Sequence, residues 1–191
     1  MTAFEIVFTL LTMITSLALA HLLNGYVILL RNAARIRFSF LQGLWGWIAL
    51  AVLIGNWASF WGMRSVESWP ALIVLLLLAA AVLEYAFCAL VTPEMPKEGE
   101  LTLDEFHAST HRLYIGALII LLITSLLLNL LLGGLNMFES WWHDSVLTFV
   151  ALLVSAIGLF IRARWVQTSV AIVNAVIVTY YLVISCDLVI T

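Results

Sequence analysis

Charge is what this sequence has least of. Asp, Glu, Lys and Arg make up 10% of its 191 residues, against about a quarter in a soluble domain. That shortage excludes an ordinary water-soluble fold. With only eight Lys and Arg in the chain, it also excludes a basic surface for nucleic acid. There are two cysteines, Cys88 and Cys186. They are expected near opposite faces of a membrane, too far apart for a disulfide, which needs Cα atoms within about 7 Å. They read as small apolar packers.

Catalytic signatures are missing too. The chain has no Gly-rich phosphate loop, no nucleophile elbow, no HExxH and no CxxC. His21 is the only histidine expected mid-span, and His143 falls at a span edge, so no facing pair exists to ligate haem. No cofactor is expected.

What the chain has instead is apolar length: 64% hydrophobic residues and a mean hydropathy of +1.14. The composition implies an all-α polytopic integral membrane protein, one transmembrane domain over 1–191. Six spans are expected, at about 4–30, 39–63, 69–92, 112–134, 143–161 and 166–190. In lipid the backbone must satisfy itself, so each span is a helix. No stretch alternates with the period of a barrel strand. Ala18-Leu-Ala20 resembles a signal-peptidase site. The five residues that open the chain carry no Lys or Arg, however, so the stretch reads as a retained first span.

The basic residues orient the bundle. Arg31, Arg35, Arg37, Lys97, Arg112, Arg162 and Arg164 fall in or beside the connections after spans one, three and five. The positive-inside rule makes that side cytoplasmic and puts both termini outside, as in a bacterial inner-membrane protein. The five arginines Arg31, Arg35, Arg37, Arg162 and Arg164 form a rim suited to anionic lipid. Trp57, Trp61, Trp69, Trp141 and Trp142 are expected at the outer interface, and Trp45, Trp47 and Trp165 at the inner one.

The only hydrophilic stretch is the cytoplasmic loop 93–111. Pro93 and Pro96 stop the third helix. Thr102 and Glu105 form a capping-box pattern, so the fourth helix is expected to begin near residue 103 and project for about two turns before entering the bilayer.

Residues 14–25, ITSLALAHLLNG, are echoed by 123–134, ITSLLLNLLLGG. Trp69 precedes Tyr85 by the 16 residues that separate Trp165 from Tyr181. Span one would match four and span three would match six, an inverted 3+3 repeat of the kind secondary transporters use. The alternative is coincidence between leucine-rich helices.

Ionisable groups within a bilayer are costly and mark function by default. By residue count, His21, Glu84 and Asn174 share one level of the inner leaflet, with Asn24 and Tyr85 close by. Such a set reads either as an ion or ligand pathway or as a polar clasp between helices. Arg64, Asn129 and Asp187 form a second, outer polar level. Thr9, Thr12, Ser16, Ala20 and Asn24 lie on one helical face, with Ser125, Asn129 and Gly133 as a shorter counterpart; close packing and a polar lining both fit. Asp104, His107 and His111 fall on one face of the fourth helix and are weak metal candidates; a solvated face is the plainer reading, and no bound metal is expected.

Three functions follow. The first is passage of a small ion, proton or solute past His21 and Glu84. The second is an accessory or sensing membrane subunit without transport of its own. The third is a membrane-embedded enzyme or cofactor-binding protein. One protomer offers little enclosed volume, so a homo-oligomer, most simply a two-fold dimer, is expected.

Overall fold

The computed structural model describes residues 3–66, 69–133 and 141–190. Its helices are α1 Ala3–Arg31, α2 Phe40–Trp61, α3 Ala71–Val91, α4 Leu103–Gly133, α5 Trp141–Phe160 and α6 Arg164–Ile190. Five of them are long and apolar enough to cross a membrane; the described apolar part of α5, Ser145–Phe160, is shorter. This is an integral membrane protein. Asp187, Trp141, Trp142 and His143 have side chains outside the described residues, as Gly134 does entirely.

Helix limits follow local chemistry. α3 ends at Val91, two residues before Pro93. α4 begins at Leu103, as expected. The carboxylate of Asp104 in the first turn accepts from Ser39 and from Arg164, the latter at 2.7 Å. At 31 residues α4 is about 46 Å long, well beyond the roughly 30 Å of hydrocarbon, so residues 103–111 project beyond Arg112 at the Arg-rich end.

That end is tied together by its loops. Two short strands, β1 Ile36–Arg37 and β2 Leu101–Thr102, pair in parallel. Arg35 donates to the carbonyls of Gly99, at 2.7 and 3.1 Å, and Pro96. Gly99 has φ +89°, which only glycine adopts freely. Arg37 pairs with Glu100 at 3.3 Å. Three of the five rim arginines therefore have protein partners, while Arg31 and Arg162 are exposed. Exposed pairs of this kind contribute about 0–1 kcal/mol each, so they orient the loop more than they stabilise it.

α2 is the central helix. It packs most extensively on α6, and Gly55 lets the Tyr181 ring approach to 2.9 Å of where a Cβ would stand. Trp45, expected at the interface, is fully buried because it lies on the face of α2 that packs against Tyr114 of α4. Trp47 and Trp165 are exposed. α1 is peripheral: it buries the narrow stripe Leu11, Thr15, Ala18 and Leu22, and packs chiefly on α3. Of the helix pairings, α1 on α2 and α2 on α3 correspond to α4 on α5 and α5 on α6, as an inverted repeat requires. α2 on α6, α1 on α3 and α3 on α4 have no comparable counterparts in α5 on α3, α4 on α6 and α6 on α1.

Candidate functional site: a polar cavity backed by Glu84

The expected inner-leaflet level divides into three separate places. His21 and Asn24 stand on the exposed face of α1, and the His21 ring lies beside that of Tyr85, 5.9 Å between centroids. Glu84 is 1% exposed and turns inward. No hydrogen bond or ion pair joins it to His21. Glu84 and Tyr85 are neighbours on a helix and so project about 100° apart: one faces α2, the other the outside. Asn174 is fully buried at a third place, where Ser155 donates to it at 3.4 Å and its own amide donates to the Val170 carbonyl. It clasps α5 to α6.

Glu84 has a partner that residue counting along one span does not suggest. Asn56 of α2 donates its side-chain amide to Glu84 Oε1 at 2.8 Å. Asn56 Oδ1 accepts from the Tyr181 hydroxyl at 3.4 Å, and Tyr181 also bonds Ser59 at 3.0 Å. Glu84 Oε2 is buried and has no protein partner. A carboxyl group in lipid with one oxygen unsatisfied is costly.

Asn56, Ser59 and Tyr181 line a cavity of about 150 Å³ enclosed chiefly by α2, α4, α5 and α6. Ser125, Asn129 and Thr148 complete its polar lining; the remaining wall is apolar. A cavity of similar size walled only by hydrocarbon stays dry, whereas polar groups that can each partner water make one wettable. Glu84 stands one residue behind this wall, reached through Asn56.

The outer polar level is only partly assembled. Asn129 lines the cavity and donates to Ser145 at 3.5 Å, while Arg64 is exposed and turns back to the Trp61 carbonyl. The expected small and polar face of α1 lies on the outside of the bundle, with Thr12 accepting from the Trp57 indole. Its shorter counterpart, Ser125 and Asn129 on α4, is the one that faces the cavity.

Asp104, His107 and His111 do not converge. Asp104 is committed to Ser39 and Arg164. The two imidazoles stack at 5.3 Å and are buried. His107 Nδ1 is hydrogen-bonded to the Tyr114 hydroxyl, and His111 Nδ1 to the carbonyls of His107 and Ala108. Among the described residues no three His, Cys, Asp or Glu side chains are grouped to hold a metal ion. Burial, and then the neighbouring His111, push the His107 pKa down from 6.5 to about 4; Gln167 and Asp104 act the other way.

Sequence reasoning missed Thr148 and Tyr181 as cavity residues, and on the central helix it missed Asn56 and Ser59. They sit three apart in the second span, so one helical face carries both, and that polar pair within an apolar run was the available signal. Comparison with protein-family models, curated proteins and solved structures finds no match for this chain.

Proposed function

We propose that this protein binds a small polar solute or cation in the cavity and passes it across the membrane, with Asn56 and Tyr181 at the site and Glu84 acting on it through Asn56. The observation that carries this reading is the Glu84–Asn56–Tyr181 network, whose Asn56 and Tyr181 join Ser59, Ser125, Asn129 and Thr148 in the otherwise apolar wall of a cavity of about 150 Å³. An intramembrane carboxyl group is expensive to keep, and a ligand of matching charge or polarity offsets that expense when it binds. On this reading the bundle has six spans, the Arg-rich end is cytoplasmic, both termini are outside, and the membrane is a bacterial inner membrane. A two-fold homo-oligomer is the simplest assembly.

The test is flux in proteoliposomes, with sodium, rubidium, protons and glycerol as separate probes. At least one probe should enter faster than in protein-free vesicles. Glu84→Gln should slow it by about tenfold or more, equivalent to about 1.4 kcal/mol, without lowering the unfolding temperature. Equal flux in wild type and Glu84→Gln overturns the assignment of Glu84. No flux of any probe overturns transport.

A second reading, an accessory or sensing subunit, is favoured by His21 and Asn24, which face outward where a second polypeptide would pair them. A stoichiometric partner that co-purifies and is lost with His21→Leu would select it.

A further inference from the structure

The two asparagine amides in the cavity wall are turned the same way. Asn56 sends its nitrogen to Glu84 Oε1 at 2.8 Å, and Asn129 sends its nitrogen toward Ser145 at 3.5 Å. Neither Glu84 nor Ser145 belongs to the wall. An amide that points its nitrogen out of a cavity leaves its carbonyl oxygen facing in. Asn56 Oδ1 and Asn129 Oδ1 are therefore presented to the cavity.

The hydroxyls beside them continue the pattern. Ser59 donates its one proton to the Asn56 main-chain carbonyl at 2.9 Å. Tyr181 donates to Ser59 at 3.0 Å, and its 3.4 Å contact with Asn56 Oδ1 is the weaker one, because a single proton does not serve two oxygens fully. Asn56 Oδ1, Asn129 Oδ1 and Ser59 Oγ thus keep acceptor capacity. A ligand that answers this wall brings hydrogen-bond donors. Asn56 Oδ1 and Ser59 Oγ both lie within reach of the Tyr181 hydroxyl, so one donor-rich head beside it can meet both.

Charge and shape narrow the ligand further. Glu84 stands behind Asn56, and its Oε2 has no protein partner. A positive charge in the cavity would be attracted to that carboxyl group across a single amide. Most of the wall is hydrocarbon, including Leu77, Leu121 and Val178. A hard metal ion is held by oxygens on all sides, and this wall offers them on only part of its surface. A cation with N–H donors at one end and an apolar body matches both parts. The volume of about 150 Å³ is that of about five water molecules, so the body is short.

We propose that the cavity is a binding site for a small primary alkylammonium ion. Its N–H donors meet Asn56 Oδ1 and Ser59 Oγ, Asn129 Oδ1 is a further acceptor, and its alkyl chain lies against Leu77, Leu121 and Val178. Glu84 is a positioning residue. By taking the Asn56 nitrogen it keeps the amide oxygen turned to the ligand, and its charge adds to the attraction. The inference rests on the reading of the cavity as the binding site and names the class of ligand.

The experiment titrates the full chain in detergent with butylammonium, tetramethylammonium, 1-butanol and sodium at fixed ionic strength. Calorimetry and the unfolding temperature both report binding. Tetramethylammonium has the charge without N–H donors, and 1-butanol has the chain and a donor without the charge. Butylammonium should bind about tenfold or more tighter than each of the other three, the worth of a charge-assisted hydrogen bond. Glu84→Gln should weaken butylammonium by about tenfold and leave 1-butanol unchanged, so the preference is lost. A purely structural part for Glu84 would weaken both alike, and that result overturns its positioning role. Ser59→Ala, a smaller change, should also weaken butylammonium selectively, and unchanged affinity there overturns the placement of the head. Butylammonium no tighter than tetramethylammonium, 1-butanol or sodium overturns the ligand class. Flux of sodium, rubidium, protons or glycerol in proteoliposomes would then leave the transport reading standing. No binding of any of the four, together with no flux of any probe, overturns both.

Discussion

Asn56 and Glu84 meet across α2 and α3 although their backbones stand at different heights. Gln42 of α2 donates to the Val91 carbonyl of α3, which marks a shared level at the Arg-rich end. Asn56 lies two heptads beyond Gln42 and Glu84 one heptad back from Val91. Their Cα atoms in upright helices would therefore differ in height by roughly 10 Å, at 1.5 Å per residue. Side chains lean toward the N-terminus of their own helix. In this antiparallel pair Asn56 leans down and Glu84 leans up. With helix tilt, that closes the gap to the observed 2.8 Å.

Removing the donor should expose the value of this bond. Asn56→Ala leaves both oxygens of a buried carboxyl group without a protein partner, and should destabilise the protein by about 1–3 kcal/mol. Denaturant unfolding in detergent measures it. Adding Glu84→Leu to Asn56→Ala should recover part of the loss, because the unpaired group is then gone. A double variant no more stable than Asn56→Ala would show that the bond carries little net energy.

Gly46 and Gly43 should respond in opposite ways to the same change. A Cβ at Gly46 would fall on the Tyr26 hydroxyl and ring, so Gly46→Ala must displace Tyr26 and should cost about 1–3 kcal/mol. At Gly43 no other group comes within 4 Å of the place a Cβ would take. Gly43→Ala should therefore be neutral or stabilise by up to about 1 kcal/mol through helix propensity. Thermal unfolding of the two variants side by side checks the contrast.

Acid should weaken the Arg-rich end through His107. Its folded pKa of about 4 lies below the unfolded 6.5. Between those values the unfolded chain binds the proton and the folded protein does not. Stability is therefore full above pH 6.5 and falls as pH drops toward 4. Unfolding temperatures across that range should decline in wild type and decline less in His107→Gln. An equal decline in both would place the acid sensitivity elsewhere.

Much of the architecture was legible because a bilayer imposes it. Apolar run length placed the helices to within a few residues, apart from the projecting start of α4. Pro93 stopped α3, and the polar segment before Arg112 began α4 at Leu103. The height of Glu84 along α3 was legible from residue count. Its direction was not. A helix that is apolar all round has no polar face to orient it, so nothing local says that Tyr85 points out and Glu84 points in. Trp45 shows the same limit: an indole near a span end suits an interface, but its face of α2 turns onto Tyr114 while Trp47, two residues on, is exposed.

By itself, then, the amino-acid sequence determined that this is a helical membrane protein, where its helices run, and that one buried carboxyl group needed an explanation. Those follow from the cost of exposing backbone and charge to lipid, which each residue meets whatever its neighbours. Only the tertiary structure decided which groups answer Glu84. It left His21 on the outer surface, brought Asn56 and Tyr181 to the carboxyl group, and placed Ser125 and Asn129 around the same cavity. Those choices depend on the rotation and tilt of each helix against its neighbours, set by glycine contacts such as Gly46 with Tyr26 and Gly55 with Tyr181. Packing of that kind joins residues far apart in the chain, and no single span encodes it.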